Sequence, residues 1–173
     1  KLIDTLIERM REVEKVEVLR SSIKPETALS DFGVDSLAFI EALKMHEAEG
    51  GVAGRGARYR RNRDVMVAGM RALGFETLLA DRWLSPIITT FFCPQDPAFS
   101  FAGFYEGMKS RGFIIYPGKL TVVDSFRIGC IGRMDEHVMT RVVEAAKETL
   151  ADMGVASAAP PAAALDERKK LTD

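Results

Sequence analysis

Few residues of this chain are suited to chemistry, and Arg127 stands first among them. It lies inside the run Phe126-Arg-Ile-Gly-Cys-Ile131, among apolar neighbours. A guanidinium is costly to bury there without an anionic partner. A planar, permanently charged fork in such a place is what holding a carboxylate on a small substrate requires. An internal ion pair with one of the chain's own acids meets the same need, and spacing alone weighs the two equally. Lys119 follows Pro117-Gly118 in the loop just upstream. Ser36 or Asp35 is placed to cap a helix that continues through Leu37, Phe39, Ile40 and Leu43. Cys93 and Cys130 sit in apolar contexts and read as buried thiols of a reducing compartment, rather than a disulfide or a metal site. His46 and His137 are far apart, without ligand-spaced neighbours, and read as ordinary helix residues.

The elements that must position Arg127 can be read from periodicity. Leu2, Ile3, Leu6, Ile7, Met10 and Val13 recur at helical spacing, and a second helix opens near Ser36. Gly50, Gly51, Gly54 and Gly56 interrupt or loosen the chain after that helix. A third helix is predicted from about Ala57 to Ala72, with Tyr59, Met66, Met70 and Leu73 on one face and Gly74 as its stop. The rhythm then changes. Phe75–Leu79 and Ile87–Phe92 read as strands, Phe101, Phe104, Tyr105 and Met108 mark a helix, and Phe113–Tyr116 and Phe126–Ile131 read as a hairpin-like pair. A last helix starts near Asp135, with Met139, Val143, Ala146, Leu150 and Met153 on its buried face. The expected organisation is a short two-helix segment over residues 1–48, an α/β (α+β) unit over 49–154, and a flexible tail over 155–173.

Bulk properties narrow the function classes. An apolar content of 47% in 173 residues supports a true core. Lys plus Arg number 24 against 25 Asp plus Glu, a net charge of -1, which argues against a nucleic-acid protein. The local basic cluster Arg55-Gly-Ala-Arg-Tyr-Arg-Arg-Asn-Arg63 reads as a solvated helix face. No apolar run approaches membrane-spanning length and no signal peptide precedes the first helix, so a cytoplasmic protein off the membrane is expected. The chain opens on Lys1 rather than a methionine, as a piece of something longer would.

Six runs, taken in order, resemble one family. They are Glu49-Gly-Gly-Val-Ala-Gly-Arg-Gly-Ala-Arg-Tyr-Arg-Arg-Asn62, Met70-Arg-Ala-Leu-Gly-Phe75, Ser85-Pro-Ile-Ile-Thr-Thr-Phe91, Phe104-Tyr-Glu106, Arg111-Gly-Phe-Ile-Ile-Tyr-Pro-Gly-Lys119 and Phe126-Arg-Ile-Gly129. Over about residues 40–154 the chain resembles the C-terminal, small domain of the 2-aminoethylphosphonate–pyruvate aminotransferases, fold-type I enzymes that use pyridoxal phosphate. The resemblance implies a small, mainly antiparallel sheet with helices packed on one face. It also implies that Arg127 grips the acid group of a small-molecule amino donor or keto acceptor, and that the assembly is a homodimer. Cys130 stands where the family more usually shows asparagine, so a polar side chain near the carboxylate would be missing. The Schiff-base lysine, the acid on the pyridinium nitrogen and the phosphate cup belong to the family's large N-terminal domain. Lys119 matches a small-domain motif rather than that lysine. The implied partner is therefore a large aminotransferase domain, without which this chain is not expected to transaminate.

Upstream, Ile23-Lys-Pro-Glu-Thr-Ala-Leu-Ser-Asp-Phe-Gly-Val-Asp-Ser-Leu37 followed by Phe39-Ile-Glu-Ala-Leu43 resembles an incomplete acyl carrier protein. That resemblance implies a 4'-phosphopantetheine arm on Ser36, at a helix N-terminus where free amides and the macrodipole favour a phosphodiester. A plain helix cap at Ser36 is the competing reading. The two resemblances together describe a fragment or fusion, with an acyl carrier module as the functional alternative to a transaminase part.

Overall fold

Helix and strand periods meet in two compact units, Lys1–Gly51 and Val52–Asp173, and the computed structural model describes residues 36–118 and 123–172. In the first unit, helix α1 spans Ser36–Ala48. The chain then passes through Gly50 and Gly51, whose φ values of 86° and 66° are costly for any side-chain-bearing residue. The helix expected over Leu2–Val13 and the capping position Asp35 lie outside the described residues.

In the second unit, α2 runs over Gly51–Ala72 and begins well before the expected start at Ala57. Glycines inside a helix cost about 1 kcal/mol each relative to alanine. Buried Asn62, Met66, Val67 and Met70 anchor the same helix further along and carry it through Gly54 and Gly56. Strand β1 (Ile88–Phe92), helix α3 (Phe101–Ser110), strands β2 (Tyr116–Pro117) and β3 (Ser125–Gly129), and helices α4 (Glu136–Asp152) and α5 (Ala162–Thr172) come next along the chain. Ser100 caps α3 by accepting from the Gly103 amide at 3.2 Å, and Asp135 caps α4 by accepting from Val138 at 3.1 Å.

The three strands form one antiparallel sheet in the order β1-β3-β2, the α/β fold that the resemblance implies. One face of it is a core. Phe91 and Phe126, paired across β1 and β3, stack with ring centroids 5.7 Å apart. Phe75 and Phe104 close on Phe126 at 5.5 and 5.3 Å. Met66 and Met70 from α2, Met108 from α3, and Met139, Ala146 and Leu150 from α4 complete the buried cluster. Helices α3 and α4 approach closely at Gly107, where an added Cβ would stand 2.3 Å from Thr149 Cγ2.

Three expectations need correction. The predicted strand Phe75–Leu79 is reduced to a single bridge, Thr77 with Phe91. The predicted strand Phe113–Tyr116 becomes Tyr116–Pro117, because the helix end claims its first part. Gly112 takes φ 88° and the Phe113 amide bonds back to Met108 O at 3.0 Å, a left-handed helix stop. The expected flexible tail is instead packed. Asp96 Oδ2 accepts from the amides of Ala156 and Ser157, Ala158 and Ala164 are buried, and Arg168 pairs with Glu76 at 2.8 Å. Among the described residues no helix is long and apolar enough to cross a membrane.

Candidate functional site

Arg127 sits at the middle of the central strand. Its Cα partners are Thr90 on β1 and Tyr116 on β2, so the three residues form one row across the sheet. Directly paired residues share a face, and side chains alternate along a strand. Phe126 and Ile128 therefore enter the core, while Ser125, Arg127 and Gly129 take the opposite face. Arg127 is half-buried there. Its Nε donates to the Pro117 carbonyl at 3.2 Å, which leans the guanidinium over β2. Among the described residues no carboxylate forms an ion pair with it. Of the two partners that spacing left open, no internal acid is seen among the described residues.

The surroundings of Arg127 are held from several directions. The hairpin loop closes on Gly118, whose amide donates to Ser125 O at 2.7 Å. A Cβ at Gly118 would lie 1.9 Å from Ser125 Oγ, so only glycine fits. Beyond β3, Arg58 Nη1 donates to the carbonyls of Gly132 and Met134, each at 2.7 Å, and Asn62 Nδ2 donates to Met134 O at 2.8 Å. Helix α2 in this way fixes the segment leaving the Arg127 strand. The basic cluster is only in part the solvated face its composition suggests. Arg63 donates to Leu84 O as well as pairing with Asp64, whereas Arg61 pairs with Glu136 at the surface.

Of the other residues singled out from sequence, the two cysteines are not brought to this face. Cys130 is fully buried in the core, its thiol donating to Pro86 O at 3.2 Å. Burial pushes its thiol up, and burial followed by the Asp124 carboxylate pushes Cys93 up to about 12. Neither is a ready nucleophile. Cys93 lines a cavity of about 460 Å³ with Phe99, Phe101, Pro117 and Asp124, on which Arg127 does not border. His46 lies on α1 and His137 in the first turn of α4. Ser36 is the first residue of α1, and its side chain, like Lys119, lies outside the described residues. Among the described residues no cluster of three or more His, Cys, Asp or Glu could hold a metal ion.

Sequence reasoning missed Thr90, Tyr116 and Gly129 as neighbours on the Arg127 face. The signal was present in the alternation of Phe126-Arg-Ile-Gly129, but the cross-strand register was not.

No protein-family profile matches the chain. It is 73% identical over 134 residues to the 2-aminoethylphosphonate–pyruvate transaminase of Rhizobium meliloti (strain 1021), covering 78% of this chain and 35% of that protein. The likeness is to part of a transaminase. The 2-aminoethylphosphonate–pyruvate transaminase 1 of Paraburkholderia xenovorans (strain LB400) is 68% identical over 136 residues, again 35% of its length. The chain thus spans about a third of the relatives it matches. In three dimensions it superposes on the ureidoglycine–glyoxylate aminotransferase of Bacillus subtilis with a TM-score of 0.61, at 18% identity over 96% of this chain and 41% of that one. That likeness shows the fold.

Proposed function

We propose that this chain is the substrate-gripping part of a 2-aminoethylphosphonate–pyruvate transaminase. In that reaction the amino group passes from 2-aminoethylphosphonate to pyruvate, giving phosphonoacetaldehyde and alanine. The role of Arg127 is to hold the acid group of the donor or acceptor by charge-assisted, two-pronged hydrogen bonds and so to set the orientation of the reacting carbon. The observation that carries this reading is a guanidinium on the half-buried middle strand, bonded among the described residues to one carbonyl and to no acid.

The described residues do not fit pyridoxal phosphate. The Arg127 face presents Ile88, Thr90, Phe92, Tyr116, Ser125 and Gly129, with neither a lysine for the cofactor's carbonyl carbon nor a carboxylate for its ring nitrogen. The chain by itself is therefore read as a binding element that does not transaminate, its catalytic groups supplied by a large aminotransferase domain. A homodimer goes with that reading. The alternative, a carrier module modified at Ser36, draws no support from the relatives and the structure named above.

The test is a titration of the isotope-labelled chain with pyruvate and with 2-aminoethylphosphonate, monitored by amide NMR. Shifts concentrated on β1, β2 and β3 that vanish in Arg127→Ala support the role. Equal shifts in the two proteins reject it.

A further inference from the structure

The sheet face around Arg127 is graded along the strands. At one end, Phe92 faces Ser125 and both are buried, Phe92 completely; Gly118 is pressed against Ser125 with no room for a side chain. That row is closed. The middle row is Thr90, Arg127 and Tyr116, two hydroxyls flanking a guanidinium. Strand spacing of about 4.8 Å puts each hydroxyl within reach of an anion seated on the fork. Tyr116 is 53% exposed, and neither its phenol nor the Thr90 hydroxyl has a hydrogen-bond partner among the described residues. The third row is Ile88 opposite Gly129, and it is open.

Gly129 is the unexplained residue of the three rows. Its φ is not in the left-handed region, so the backbone does not call for glycine. A Cβ there would meet only Ile87 O, at 3.7 Å, an ordinary contact, so packing does not call for glycine either. A glycine inside a strand weakens it and marks places where a bulge, a bend or a ligand comes close to the backbone. The β1–β3 ladder runs in unbroken register through Ile88 and Gly129, which removes the bulge.

We propose that Thr90, Tyr116 and Gly129 complete the binding face. The oxyanion of the ligand sits on the Arg127 fork with the two hydroxyls donating to its remaining lone pairs. Its carbon body lies over bare Gly129 and against Ile88, because the Phe92 row blocks the other direction. This rests on the role of Arg127 given above and extends it by fixing the direction in which the ligand points. The shared chemistry is a small oxyanion on a short carbon chain, either a carboxylate or a phosphonate.

The experiment repeats the NMR titration with pyruvate and with methylphosphonate on Tyr116→Phe, Thr90→Val, Gly129→Ala and Arg127→Ala, each checked for an unchanged melting curve. Removing a hydroxyl that donates to an anion is expected to weaken binding about tenfold for Tyr116→Phe, and by less for Thr90→Val because the guanidinium leans toward β2. Gly129→Ala is expected to abolish binding of pyruvate while weakening methylphosphonate less, since the shorter ligand carries one carbon beyond its anion. If Gly129→Ala and Tyr116→Phe bind both ligands as the parent does while Arg127→Ala binds neither, the row arrangement is overturned and the role of Arg127 stands. If Arg127→Ala binds as the parent does, or the parent binds neither ligand, both fall together. Tyr116→Phe keeps the test open should Gly129→Ala melt early.

Discussion

Phe126 and Arg127 are neighbours on one strand and answer to opposite demands. Phe126 points into a ring cluster with Phe75, Phe91, Phe101 and Phe104, and none of its surface meets solvent. Arg127 points to the other face, where among the described residues its charged end touches one carbonyl and no acid. The first residue is part of what makes the sheet stable, and the second is carried by a sheet whose stability comes from elsewhere. A sheet that is packed on one face can hold a costly side chain rigidly on the other, because the strand position is already determined.

The largest expected effect is on the packed face. Phe126→Ala removes a fully buried ring in contact with four others, and should destabilise the fold by about 3–5 kcal/mol in denaturant titration. A loss under about 1 kcal/mol would break the contrast between the faces. Next comes Gly107→Ala, which presses a methyl against Thr149 where α3 meets α4. The expected cost is about 1–3 kcal/mol from overpacking, read in the same assay.

Much of the packed face was legible in sequence, and the physical reason is size and period. Met66 and Met70 on α2, Phe104 and Met108 on α3, and Met139, Ala146 and Leu150 on α4 recur at helical spacing, and all are buried. The segment after Gly154 was misread because its buried residues, Ala158 and Ala164, are too small to show as an apolar stripe. Its attachment runs instead through a carboxylate about sixty residues upstream, Asp96. The site was legible only at its centre. Arg127 stands out by type and setting, whereas Thr90 and Tyr116 become its neighbours through register, which tertiary pairing determines and local sequence does not.

A smaller effect concerns acid. Hydrogen bonds from the Ala98 amide first, and from the Ala156 and Ser157 amides after it, hold the Asp96 carboxyl below the usual carboxylate range. Its pKa is thus lower folded than unfolded, and the unfolded chain takes up more protons as pH falls. The stabilisation is complete above the ordinary aspartate value of about 4 and is lost as pH drops through the folded value. Melting of the parent chain should therefore fall more steeply below pH of about 4 than melting of Asp96→Asn. Parallel curves would show that the Asp96 bonds add nothing to the hold on the segment after Gly154, leaving it to the buried alanines and the Arg168–Glu76 pair.

The smallest expected change is the most telling for the two faces. Arg127→Ala should leave the unfolding free energy within about 0.5 kcal/mol, even though it abuts the residue with the largest effect. Its one hydrogen bond within the described structure goes to Pro117 O, on a strand residue that is itself exposed, so water can replace the donor. Among the described residues the rest of the guanidinium has no partner to abandon. Truncation of an internal ion pair would instead leave an uncompensated charge and cost about 3–5 kcal/mol. Equilibrium denaturation of Arg127→Ala beside Phe126→Ala separates these outcomes. A stable Arg127→Ala that no longer takes up an oxyanion means the strand carries that side chain for a ligand; an unstable one means the charge belongs to the fold.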